Sequence, residues 1–68
     1  MRDKLLAAFK AHMEGNIAKS VANVEVLLNC TTGLADHPDI IATIGTEMEL
    51  IAKYNDMLEM ANKHFINA

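Results

Sequence analysis

The chain has 68 residues, a hydrophobic fraction of 51% and a formal net charge of −3. This length supports one domain, and the single cysteine excludes an intramolecular disulfide that would stabilise so small a core. The acidic balance and the lack of a Lys/Arg cluster argue against nucleic-acid binding, and no apolar run reaches the roughly 18 residues of a membrane span. The N-terminal sequence lacks the apolar stretch of a secretory signal, so we expect a cytoplasmic protein.

The first helix is predicted over about residues 2–29, because large apolar side chains recur there every three or four residues. The repeat from Leu6 to Leu28 is about 3.67 residues, so the row runs nearly straight and lacks the strict seven-residue repeat of a left-handed coiled coil. The side chains of this expected core row are Leu6, Phe9, Met13, Ile17, Val21, Val24 and Leu28.

A turn is predicted over 30–37 and a second helix over about 38–65. Asp36 is placed to cap this helix, Pro38 fits its first turn, and Asp39 complements the helix dipole. The expected core of the second helix is a seven-spaced seam with apolar neighbours: Ile44, Ile51, Leu58 and Phe65, flanked by Ile41, Met48, Tyr54 and Ala61. The fold class is therefore all-α, a two-helix antiparallel hairpin. Because Thr46 and Glu49 form a capping-box pattern after Gly45, a break there that gives three helices remains an alternative.

A second row on helix 1 suggests that the hairpin associates with other copies of itself. It lies opposite the core row, and its small side chains would let another helix approach closely, although alanine is also a good helix former on an exposed face. Apolar residues also occupy a wider arc of helix 2 than a single partner helix can bury. We therefore expect a homodimer or tetramer of the four-helix-bundle type. The predicted oligomer interface consists of Ala8, Ala11, Gly15, Ala18, Ala22, Val26, Leu50 and Met57.

No pattern of catalytic or metal-binding residues stands out, so we expect no enzyme activity, no metal and no cofactor. The histidines His12, His37 and His64 lie far apart and lack the spacing of zinc or di-iron ligands. Cys30 and His37 share the turn region, but Cys30 is expected to end helix 1 as a small apolar residue. The carboxylates of helix 2 are expected on its outer, solvated arc, while two polar residues fall within the core rows. The carboxylates are Glu47, Glu49, Asp56 and Glu59, and the two polar residues are Ser20 and Asn55.

The segments MRDKLLAAFKAHMEG and HPDIIATIGTEMELIAKYNDMLEMANKHF resemble small uncharacterised helical proteins of tailed marine bacteriophages, cyanophages in particular. This resemblance implies an accessory protein in the cytoplasm of an infected bacterium. The function predicted is a non-catalytic, self-associating interaction module that also binds another, unidentified protein. The alternative is a nucleic-acid-associated or transcription-regulating protein, since helix 1 carries Arg2, Lys4, Lys10 and Lys19.

Overall fold

Two helices make up nearly all of the structure, a computed structural model that describes residues 1–29 and 39–66. Helix α1 spans Arg2–Asn29 and helix α2 spans Ile40–Ala61, which continues into a π-helical segment at Asn62–Ile66. No strand occurs within these described ranges. The prediction of an all-α chain with two helices is therefore confirmed for this part of the molecule.

The helices lie antiparallel, in a rod with principal-axis extents of 48 × 16 × 15 Å. Two hydrogen bonds, one near each end of the rod, show the direction of packing. Arg2 Nη2 donates to the carbonyl of Phe65 at 2.7 Å, and Asn23 Nδ2 donates to Glu47 Oε1 at 3.3 Å. The N-terminal end of α1 thus lies beside the C-terminal end of the second helix.

The start of α2 differs from the expectation. The helix begins at Ile40, and Asp39 is its N-cap, with Oδ1 accepting a hydrogen bond from the Ala42 backbone N–H at 2.9 Å. Asp39 therefore satisfies one of the free N–H groups of the first turn directly, in addition to placing a negative charge there. The roles predicted for Asp36 and Pro38, and the turn at 30–37, fall outside the described residues.

Helix α2 passes through Gly45 without a break. Thr46 does not cap a new helix, because its hydroxyl donates to the carbonyl of Ala42 at 3.2 Å, one turn back in the same helix. The alternative with three helices is therefore wrong.

The residues of α1 that face α2 follow a seven-residue repeat, contrary to the expected straight row. Met13 and Ser20 are buried, and Leu6 and Leu27 are half-buried. Three members of the expected core row are instead exposed, Phe9 by 37%, Val21 by 44% and Leu28 by 62%. Helices that cross at a small left-handed angle stay in contact along a seven-residue repeat, whereas a row with a repeat near 3.67 residues turns away from the partner.

The contact row of α2 is also rotated from the predicted seam. It consists of Ile40, Glu47, Tyr54 and Ala61, again seven residues apart, and each of them is buried or half-buried. The predicted seam residues Ile44, Ile51 and Leu58 flank this row and are half-buried, but Ile41 is 83% exposed, Met48 54% and Phe65 56%.

The core of the single hairpin is thin. Among the described residues only Met13, Ser20 and Ala61 are buried. Ser20 was expected in the core and lies there, whereas Asn55 was expected there and is exposed.

Candidate interaction surfaces

A polar contact interrupts the apolar packing between the helices near the turn. Glu47 was expected on the outer arc of α2, but it lies in the contact row and is half-buried. Its Oε1 accepts the hydrogen bond from Asn23, while its Oε2 is buried and has no hydrogen-bond partner among the described residues. The other carboxylates assigned to the outer arc, Glu49, Asp56 and Glu59, are exposed.

A shallow cavity of about 240 Å³ lies at this polar contact. Asn23, Val26 and Leu27 line it from α1, and Thr43 and Glu47 line it from α2. A carboxylate oxygen that gives up water without gaining a partner destabilises the folded chain, so this contact adds specificity of pairing rather than stability. Asn16 and Asn23 lie seven residues apart on α1, and this spacing could have indicated from the sequence that polar residues line one side of the contact row.

A second groove, of about 290 Å³, lies on the other side of the hairpin near the chain termini. Its position follows from the hydrogen bond between Arg2 and the Phe65 carbonyl, which holds the π-helical segment against the start of α1. Its lining includes two cationic residues, Arg2 and Lys10, and one acidic residue, Asp3, so it carries both signs of charge. The groove is lined by Arg2, Asp3, Leu6, Ala7, Lys10, Phe65 and Ile66.

The predicted interface row on the back of α1 faces away from α2, except for Val26, which lines the cavity at Glu47. All six of its α1 residues are exposed in the single chain, and a Cβ added at Gly15 would meet no other atom within 4 Å. The remaining two predicted interface residues, Leu50 and Met57, are half-buried beside the contact row of α2. The involvement of these eight residues in an oligomer stays a prediction: Ala8, Ala11, Gly15, Ala18, Ala22, Val26, Leu50 and Met57.

A different surface carries the larger apolar side chains. At 100° per residue, four residues of α1 lie on the side that holds the Arg2 groove, opposite the cavity at Glu47. Four residues of α2 lie on the same side, because the helices are antiparallel and Thr43 faces the other way, into the cavity. We call these eight residues the apolar face: Ile17, Val21, Val24, Leu28, Ile41, Ile44, Met48 and Ile51.

The remaining side chains that could take part in catalysis or bind a metal lie apart from one another. His12 is exposed, with Nε2 at 3.4 Å from Asn16 Nδ2, and His64 is exposed beside Phe65. Cys30 and His37 lie outside the described residues. In the part of the chain that the structure describes, no three His, Cys, Asp or Glu side chains group together as they would around a metal ion. Neither described helix is long and apolar enough to cross a membrane.

Comparison with protein-family models, with curated proteins and with solved structures gave no match to this chain.

Proposed function

We propose that this chain is a non-catalytic interaction module that completes its core by associating with other copies of itself. The observation that carries this proposal is the contrast between its burial and its exposure. Three side chains are buried in the described hairpin, while eleven large apolar side chains are exposed. Four of the exposed residues, Val21, Leu28, Ile41 and Met48, lie together in the apolar face, and a contiguous apolar patch is typical of surfaces that another molecule covers.

The total surface leads to the same proposal. The chain exposes 5163 Å², whereas a compact monomer of its mass, 7.5 kDa, exposes about 4,250 Å². Its radius of gyration of 15.5 Å likewise exceeds the roughly 11 Å of a compact domain of this length. The excess of roughly 900 Å² shows that one hairpin buries less of its surface than a compact domain of the same mass.

A bundle of hairpins leaves the charged outer arc of α2 free to bind a different protein. Glu49, Asp56 and Glu59 are exposed there together with Lys53, and exposed Lys63 follows in the π-helical segment. In this proposal the oligomer presents two or more copies of that arc, which raises its avidity for a partner with repeated sites. Its setting, from the resemblance to phage proteins, is the cytoplasm of an infected bacterium.

Thermal unfolding at several protein concentrations tests self-association without any variant. When folding and association are coupled, the melting temperature rises with concentration, because mass action favours the oligomer. We expect such a rise when the helical circular dichroism signal of the wild-type chain is followed. A melting temperature that is independent of concentration, with a sharp transition, would contradict the proposal.

The nucleic-acid alternative has its own test. Arg2, Lys4, Lys10 and Lys19 point in four directions around α1, so they do not form the basic face that tracks a phosphate backbone. We expect no change in the fluorescence anisotropy of a labelled DNA duplex at low salt. Tight binding that weakens steeply as salt is added would favour the alternative instead.

A further inference from the structure

We infer that the surface on which a second copy docks is the apolar face, and not the row of small residues on the back of α1. This inference rests on the proposed self-association and deepens it. It assigns the interface to residues that the sequence pattern had placed in the core of one hairpin. Two such faces, packed against each other, make a four-helix bundle.

The two helices contribute to the apolar face at matching heights. Asn23 is level with Glu47, and both helices rise by 1.5 Å per residue in opposite directions. It follows that each apolar residue of α1 is level, within about two residues, with one of α2. From the turn inwards, the pairs are Leu28 with Ile41, Val24 with Ile44, Val21 with Met48, and Ile17 with Ile51. The face is thus two side chains wide and four levels long.

The burial pattern along this face is graded. Val24, Ile44, Ile17 and Ile51 stand next to the contact rows and are half-buried. The outer members Val21, Leu28, Ile41 and Met48 are largely exposed. Such a surface is shallow and is formed by both helices, so it suits a pair of helices rather than a small molecule. A second hairpin offers two helices of the right length and spacing.

The charge distribution favours an identical partner. In a two-fold dimer the same surface patch occurs on both sides of the interface, so a charge near its centre would lie close to its own copy. Within the described stretches 17–28 and 41–51, the charged side chains lie off the apolar face. Lys10, Glu14 and Glu25 lie at its margins, where water remains available. The face is therefore neutral although the whole chain has a net charge of −3.

The back of α1 has less to gain from a partner. Its members are one glycine, four alanines and a single valine, all from one helix, so little apolar area per residue would leave water. The eight residues of the apolar face are isoleucine, valine, leucine and methionine, and these larger side chains remove more apolar area from water when a partner covers them. Association through the apolar face also leaves α1 and α2 equally covered.

Three lysine variants, compared with the wild-type chain, test this assignment by size exclusion with light scattering. Met48→Lys places a charge in the apolar face, and Met60→Lys is its matched control, because Met60 is a partly exposed methionine on the other side of α2. Ala18→Lys places the same charge in the row of small residues. We expect the wild type to be a dimer, Met48→Lys to dimerise at least a hundredfold more weakly, and the other two variants to behave as wild type.

Dissociation of Met60→Lys would overturn the assignment, because Met60 lies off the apolar face. Dissociation of Ala18→Lys, alone or together with Met48→Lys, would overturn the assignment to the apolar face but leave self-association standing. A wild-type monomer would overturn both the assignment and the proposed function. If Met48→Lys shows no helical signal even at the highest concentration, Ile41→Lys replaces it, since Ile41 is the most exposed member of the face. An unchanged dimer in that folded variant would refute the inference.

Discussion

Replacing Glu47 with methionine is expected to raise the free energy of unfolding by about 1–3 kcal/mol, although it removes a hydrogen bond. The gain comes from Oε2, which is buried and has no hydrogen-bond partner among the described residues. An unsatisfied polar atom of this kind costs about 1–3 kcal/mol in desolvation, and the thioether of methionine carries no such penalty. The lost contact is weak, because its length is 3.3 Å and Asn23 is exposed and able to bond water instead.

Urea unfolding followed by circular dichroism, at one fixed chain concentration, measures this change. Glu and Met have similar helix propensity and similar length, so the substitution leaves the helix itself little altered. Glu49→Met is the matched control, because Glu49 lies two residues further along α2, on its exposed arc. We expect this control to change the free energy of unfolding by no more than about 0.5 kcal/mol. A loss of stability in Glu47→Met, with no loss in Glu49→Met, would refute the view that this carboxylate is held at a cost.

Three further predictions concern the helix cap, the core and the glycines, and each is measured by the same unfolding assay. Asp39→Ala should destabilise the chain by about 0.5–2 kcal/mol, since the Ala42 N–H loses its acceptor, while Asp39→Asn should retain most of the stability; equal losses in both variants would contradict the capping role. Met13→Ala should cost about 2–5 kcal/mol, because Met13 is the largest buried side chain among the described residues, and a smaller change would show that the contact row closes around the gap. Gly45→Ala and Gly15→Ala should each stabilise by about 1 kcal/mol, since an added Cβ meets nothing within 4 Å at either position. A gain at Gly45 with a weakened dimer at Gly15 would show instead that another helix packs on the back of α1.

The helices themselves were predictable from local signals. The apolar repeat and the few breaking residues give α1 with the bounds expected, 2–29, and they place α2 within a few residues of its observed start at Ile40. These features depend on neighbours along the chain, on capping and on propensity, all of which the sequence displays directly.

The rotation of each helix about its own axis was not predictable in the same way. Apolar residues cover more than half of the circumference of α2, so several strips of its surface are equally plausible contact faces. The strip that meets α1 contains Glu47 and Tyr54, whereas the more apolar residues Ile41 and Met48 point outward. Which strip of α2 meets α1 depends on how the two helices pair. The polarity of Glu47 alone would place it in solvent, whereas it lies in the contact row.

The misplaced core residues explain why the apolar face was missed. Val21 and Leu28 were expected to pack against α2, and Ile41 and Met48 against α1, yet all four are exposed together on one side of the hairpin. A row of large apolar residues indicates a surface that is buried in the assembled state, but it does not indicate whether the covering helix belongs to the same chain or to a second one. In the proposed four-helix bundle, these residues reach the core through a second chain rather than within one.

Sedimentation equilibrium of the wild-type chain over a wide range of concentration tests the central claim most directly, because it measures mass without reference to shape. The account predicts a reversible association to at least twice the chain mass of 7.5 kDa, with helical content that falls as the oligomer dissociates. A single species of one chain mass, fully helical at every concentration, would contradict it, since the hairpin would then be stable with its apolar face in water.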